Sequence, residues 1–270
     1  MNTPIGFGTA ALYALSLVFY VAYLYANKPR IGRIATACLA GGILLNFFNM
    51  VERARLVQSV PYQDLYGSMS LFAWLLGLTY LGLEVFHRQR SVGPFVLPFI
   101  LVLFLVAEMG PSMPSSPPPA RGSLFALHVT LNILAYSAFA ISFVLSVIFL
   151  IQNHVLRERR PGATFWRYPS LETLERMSRS SVLVGIIALG IGIIFGFVWV
   201  HRIRGQIWEA DAKEIASLAI WAIYCSYWWL SQTTAWRGAR ASYLSVLNFL
   251  VVIFSYTIVN VYLSNYHRYF

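Results

Sequence analysis

Charge is scarce in this chain. Asp, Glu, Lys and Arg make up 11% of its 270 residues, where a soluble domain carries about a quarter. Long polar stretches are missing too. The longest, from about Gln152 to Arg179, is too short to bury a core of its own, so residues 1–270 read as a single transmembrane domain with no soluble partner domain. Cysteine is limited to Cys38 and Cys225, which fall in separate apolar runs. Without a Cys-x-x-Cys pair the chain has no thiol-redox motif or zinc knuckle, and both thiols read as small buried hydrophobes. A basic stripe interleaved with aromatics is absent as well. The formal net charge of +10 therefore argues for no nucleic acid: the basic residues lie in short loops between apolar runs, where they orient a membrane protein. The opening Met1-Asn2-Thr3-Pro4 lacks a basic region and leads into a run of full membrane length, so the expectation is a first transmembrane helix and not a cleaved signal.

What the chain has in abundance is apolar sequence, 58% of all residues. Runs long enough to cross a bilayer recur at about 5–26, 34–51, 68–86, 94–110, 124–151, 181–200, 215–230 and 243–264. Irregular backbone is not tolerated against lipid, so these runs must be helical. The expected fold is an all-α integral membrane protein, a bundle of about eight transmembrane helices in the lipid bilayer. With the N-terminus outside, the inner loops would hold 13 of the 20 Lys and Arg residues and the outer segments 7. The positive-inside bias thus predicts both termini on the outer, extracytoplasmic side, and the natural location is a bacterial inner membrane.

Two loops can be read directly. The outer segment from Pro111 to Gly122 is proline-rich and reads as an extended spacer. The inner segment Pro169–Met177 places Leu171, Leu174 and Met177 at spacings of three, with Ser170 positioned to cap its start. It reads as a short amphipathic helix lying on the inner surface.

The most informative stretch runs from Trp199 to Glu214, a polar loop between two apolar runs. It holds Trp199, Arg202, Arg204, Gly205, Trp208, Asp211, Lys213 and Glu214. Charges directly before an apolar helix must pair, or face water or a ligand. Asp211 and Glu214 also suit the positive end of the helix dipole that follows. Tryptophans here can anchor the chain at the membrane boundary, or stack on a flat apolar ligand whose carboxylates pair with Arg202, Arg204 or Lys213. His128 and His267 flank this loop on the same predicted side. Two neutral imidazoles across a cleft suit the axial positions of haem iron, here haem b. Asn132, four residues after His128, and Asn260, seven before His267, share faces with them. They are candidates to orient the rings or simply to bridge helices. His87, His154 and His201 read as interfacial or solvated side chains.

Several pieces of this chain resemble the cytochrome c assembly proteins, the CcsA/CcmC/HemX group of haem-handling membrane proteins. Their outer loop, Trp-Gly-x-x-Trp-x-Trp-Asp-Pro-Lys-Glu, resembles Arg204-Gly-Gln-Ile-Trp-Glu-Ala-Asp-Ala-Lys-Glu214, and the helix after it resembles Ala219-Ile-Trp-Ala-Ile-Tyr224. Upstream, Gly196-Phe-Val-Trp-Val200 resembles the family's Gly-x-x-Trp-Ala. The family's first outer histidine opens a pattern similar to His128-Val-Thr-Leu-Asn-Ile-Leu-Ala-Tyr136. The second follows Val-Asn, as in Val259-Asn-Val-Tyr-Leu-Ser-Asn-Tyr-His-Arg-Tyr269. Asp64-Leu-Tyr-Gly-Ser-Met-Ser70 is similar to the family's Asn-Leu-Tyr-Glu-Ser-Leu. The resemblance covers about residues 61–270.

It implies that His128 and His267 are axial ligands of haem iron and that the loop binds one porphyrin edge. It further implies work with apocytochrome c and a second, ResB/CcsB-like assembly membrane protein, as part of a cytochrome c haem lyase. Arg204, Ala210 and Ala212 replace two tryptophans and the proline of the family's loop, and Trp229 stands where the CcsA branch has a membrane-embedded histidine. Two other readings stay open. One is a HemX-like accessory that influences haem biosynthesis. The other is a solute or quinone transporter, which should carry polar residues near mid-bilayer; Asn46, Asn49 and Asn132 are among the few here.

Overall fold

The computed structural model describes residues 4–57, 60–62, 64–110, 122–158, 167–205 and 212–258, with backbone alone at 204, 212, 213 and 256–258. Among the described residues the regular structure is entirely helical: α1 (Pro4–Ala26), α2 (Pro29–Val57), α3 (Leu65–His87), α4 (Gly93–Glu108), α5 (Ser123–Arg157), α6 (Leu171–Arg204), α7 (Ala212–Leu230), a 3-10 turn (Thr234–Trp236) and α8 (Ala239–Ile258). Five of these, α1, α2, α3, α5 and α6, are long and apolar enough to cross a membrane, and α4 and α8 contribute shorter apolar helices.

The chain divides into two compact units: residues 1–118 with 154–173, and 119–153 with 174–270. In the first unit α1 and α2 form a tight helical hairpin. Asn27 turns it with a left-handed φ of 50°, which Asn tolerates better than most residues, and Pro29 opens α2 at a position where a missing N–H costs nothing. Asp64 caps α3 by accepting from the Gly67 N–H at 2.9 Å and pairs with Arg53 at 2.6 Å. At the other end of α3 lies Glu84, only 2% exposed. Its carboxylate accepts from the Tyr20 hydroxyl at 2.5 Å, Thr36 at 2.5 Å and Tyr80 at 2.8 Å, and Arg90 Nε lies 3.4 Å away. A buried charge survives only when paired and hydrogen-bonded, and this one ties α1, α2 and α3 together. Asn46, fully buried, reaches the Tyr13 hydroxyl and the Ser70 backbone and accepts from the Ser70 hydroxyl at 3.1 Å. Asn49 donates to Glu108 at 2.7 Å. In this unit Asn46 and Asn49 bridge helices.

The second unit is built on α5, α6, α7 and α8. Phe139 of α5 stacks on Tyr224 of α7 with centroids 3.5 Å apart and planes 4° from parallel. Next to this stack Ser142 bonds both Ser178 of α6, at 2.8 Å, and Ser245 of α8, at 2.9 Å. Small hydroxyl residues let membrane helices approach closely and then join them.

Two sequence expectations change here. The segment around Pro169–Met177 is not a separate surface helix. α6 runs unbroken from Leu171 to Arg204, and Leu174 and Met177 are fully buried. Ser178, Arg179 and Ser180 contain no helix breaker, and Leu174 and Met177 extend the apolar stripe of the span that follows. The cap at Ser170 does form, accepting from the Thr173 N–H at 3.2 Å. The polar stretch read as a loop from Trp199 is likewise helical as far as Arg204. The helix stops where Gly205 takes a φ of 74° and returns its N–H to the His201 carbonyl at 2.9 Å, a left-handed terminus that glycine adopts without strain.

Candidate haem-ligand site

His128 lies in the second turn of α5, facing the last turns of α6. Its Nδ1 is 2.7 Å from the carbonyl oxygen of Gly192. A carbonyl only accepts, so Nδ1 carries the proton, and the tautomer leaves Nε2 with its in-plane lone pair. A backbone carbonyl has two lone pairs and can serve its own helix and this ring together.

The approach is possible because α6 has no side chain where the ring sits. A Cβ at Gly196 would lie 2.7 Å from His128 Cε1 and Nδ1, and one at Gly192 would lie 2.8 Å from Asn132 Oδ1. The pair Gly192-x-x-x-Gly196 is a small-residue groove of the kind that lets membrane helices pack closely. The side chains of His128 and Asn132, one turn apart on α5, fill it.

Asn132 Nδ2 is 3.2 Å from Nδ1 and 3.1 Å from Nε2 of His128. An atom almost equally far from both nitrogens lies over the ring and not along either in-plane lone pair. The amide therefore packs on the imidazole face, while the hydrogen bond that sets the tautomer comes from Gly192. Among the described residues, Asn132 Oδ1 is buried without a hydrogen-bond partner, as is Trp199 Nε1. The Trp199 ring packs on buried Phe125 with centroids 5.0 Å apart. One end of this unit thus combines an imidazole held through its Nδ1–H, two aromatic rings and, among the described residues, an unsatisfied indole N–H and an unsatisfied amide oxygen. Buried polar atoms without partners are uncommon in native proteins and call for an explanation.

The remaining sequence candidates fall as follows. Arg202 is exposed on the last turn of α6, beside exposed His201. Arg204 closes α6 and Gly205 caps it. Lys213 and Glu214 stand in the first turn of α7, where Glu214 faces the positive end of the helix dipole. Trp208, Asp211, Asn260 and His267 lie outside the described residues. His87 packs edge-on against Phe86 at 4.9 Å, and exposed His154 meets Glu158 at 3.1 Å. Among the described residues no three His, Cys, Asp or Glu side chains gather as a metal-ion site. An arrangement of one imidazole on a flat ligand does not need such a cluster. Sequence reasoning missed Gly192, Gly196, Phe125 and Glu84. The two glycines, four apart in an apolar helix, carried a readable packing signal, and Glu84 stood out as a lone carboxylate near the end of an apolar run.

The profile of the family described as Cytochrome C assembly protein matches residues 62–267. Relatives include Protein HemX of Brevibacillus brevis, 28% identical over 92% of each chain. They also include Cytochrome c biogenesis protein CcsA of Gloeobacter violaceus, 26% identical over 96% of this chain and 93% of that one. A solved structure titled Cytochrome c Heme Lyase CcmF shares the fold, with a TM-score of 0.63 at 17% identity over 94% of this chain; this chain spans 47% of its length. With a profile match over most of its length and a chain of apolar helices, this integral membrane protein belongs to the cytochrome c assembly family.

Proposed function

We propose that this chain binds haem b at the end of the second unit where α5 begins and α6 ends, and presents it on the outer membrane face for attachment to apocytochrome c. The bond from His128 Nδ1 to the Gly192 carbonyl carries this reading. It holds the ring in one orientation, as metal-ligating histidines require, and leaves Nε2 outside that bond. His267 would be the second residue to hold the haem, with Asn260 to orient it. Trp199, backed by buried Phe125, gives the apolar plate a surface, and its indole N–H, with Arg202, Arg204 and Lys213, receives the carboxylates. Gly205, Trp208, Asp211 and Glu214 complete the loop.

Bound haem supplies an iron that accepts two nitrogen ligands and vinyl groups that apocytochrome thiols can attack. The chain's own part is to fix the imidazole, hold the porphyrin edge and keep water from its face. Cys38 and Cys225 are half-buried within α2 and α7 and form no Cys-x-x-Cys pair, so reducing equivalents come from another protein. A ResB/CcsB-like membrane partner completes a haem lyase. Both termini face outward, in a bacterial inner membrane.

The test is haem content and absorption of protein purified from haem-replete cells. His128→Gly and His267→Gly should each lose or shift the haem bands, and added imidazole should restore them, which excludes misfolding as the cause. His154→Gly should leave the spectrum unchanged. Unaltered bands in the double variant, in a folded protein, overturn the assignment. A HemX-like accessory role in haem biosynthesis is the second reading, favoured by the full-length match to HemX and by Trp229 in place of the CcsA branch's histidine. Loss of haem-stained c-type cytochromes on deletion supports assembly; normal staining with altered haem precursors supports the accessory role.

A further inference from the structure

Away from the His128 site, at the end of the second unit where α7 ends and α8 begins, lies a groove that the haem reading does not use. α7 closes at Leu230, and three successive turn hydrogen bonds, from Ser231, Gln232 and Thr233 back to Tyr227, Trp229 and Leu230, fold the chain over. The 3-10 turn Thr234–Trp236 follows, and Gly238, at a φ of 73°, redirects the backbone into α8. Between the turn and α8 lies an open cavity of about 550 Å³ lined by Trp236, Arg240, Tyr243, Leu244 and Leu247. The α8 residues stand at spacings of three, four and seven, so they form one stripe on one helix face. From Arg240 to Leu247 the stripe climbs about 10 Å at 1.5 Å per residue, most of the depth of one leaflet's hydrocarbon, half of roughly 30 Å.

The two ends of the groove differ in chemistry. Arg240 stands at its mouth. One of its N–H groups donates to the Ala235 carbonyl at 3.0 Å, which leaves most of the guanidinium's five donors unused. Arg237 beside it makes one long contact to the Gln232 carbonyl, 3.5 Å. No carboxylate pairs with either among the described residues, and the sequence contains no Asp or Glu after Glu214. The rest of the groove is aromatic and aliphatic, with Tyr243 66% and Leu247 57% exposed. Trp236 and Tyr243 are residue types that settle at the membrane–water boundary.

We infer that this groove is a binding site for one phospholipid with an anionic headgroup, the phosphate on Arg240 and Arg237 and an acyl chain along Tyr243, Leu244 and Leu247. Both guanidinia are exposed with donors to spare for an anion, and arginine's planar fork matches phosphate oxygens. The apolar stripe starts directly below them and runs to acyl-chain depth. A helix from a second copy would cover the stripe, but it would need a carboxylate for the guanidinia. The basic-loop bias places this end of the unit on the inner side, where juxtamembrane arginines meet anionic headgroups.

The test is native mass spectrometry of the full chain, exchanged into detergent with either phosphatidylglycerol or phosphatidylcholine. One phosphatidylglycerol per chain should survive activation that strips phosphatidylcholine. Arg240→Gln should weaken retention about five-fold, the Boltzmann factor for one cation at an anionic surface, and adding Arg237→Gln should weaken it further. Tyr243→Ala should shorten retention with the arginines intact. Arg33→Gln, at an exposed cation on α2, should leave it unchanged. Equal retention of the two lipids, a double arginine variant that holds phosphatidylglycerol as well as the parent, or an equal effect of Arg33→Gln each overturns the inference. So does a lipid-free dimer that Tyr243→Ala dissolves, since a second copy would then be the occupant. The haem spectrum of every variant should match the parent, so failure here and failure of the haem reading are told apart.

Discussion

Gly196→Ala is the sharpest perturbation of the His128 site because it adds one methyl where the structure leaves no room. The new Cβ would sit 2.7 Å from two atoms of the imidazole, and ordinary van der Waals contact begins at 3.4 Å. Either the ring moves or α5 and α6 separate. Both displace Nδ1 from the Gly192 carbonyl, now at 2.7 Å. Overpacking costs about 1–3 kcal/mol, and losing the partner of a buried N–H costs about 1–3 kcal/mol more. Against this, alanine in place of glycine within a helix contributes about 1 kcal/mol. The net expectation is a loss of about 1–5 kcal/mol, read as a lower thermal midpoint in detergent, with weakened or shifted haem absorption. Gly82→Ala is the matched control, since nothing lies within 4 Å of its added Cβ. It should be neutral or stabilising and should bind haem as the parent does. If Gly196→Ala keeps both the midpoint and the spectrum of the parent, the close approach of α6 to His128 is not what orients the ring.

Two further substitutions probe the buried polar groups. Glu84→Leu strips the acceptor from Tyr20, Thr36, Tyr80 and Arg90 at once and should destabilise by about 3–5 kcal/mol, as breaking a buried charged pair does; Glu84→Gln, which keeps shape and one acceptor oxygen, should cost less in the same unfolding assay. Tyr224→Phe should have the opposite sign, because its buried hydroxyl has no partner and its removal leaves the stack on Phe139 intact. A raised or unchanged midpoint is expected, and a clear drop would show that the hydroxyl is satisfied after all.

The helices and the family membership were legible in the sequence because both rest on local pattern. Bilayer-length apolar runs must become helices wherever they fall, and the order of the His128, Gly196–Val200 and Arg204–Glu214 segments matches the assembly family without any knowledge of packing. His128 and Asn132 could be put on one face of α5 from their spacing alone. What holds the ring could not be read that way. The Gly192 carbonyl lies 64 residues from His128, and a backbone oxygen carries no signature in a residue list. The same applies to Glu84, whose partners Tyr20 and Thr36 are 64 and 48 residues away. It applies also to the continuity of α6, since a polar stretch within a helix reads like a loop until its other face is seen to be buried. Period and composition determine which segments cross the membrane. Only tertiary contact decides which lone pair, carbonyl or missing side chain faces which, because those pairings depend on helices separated in sequence by whole spans.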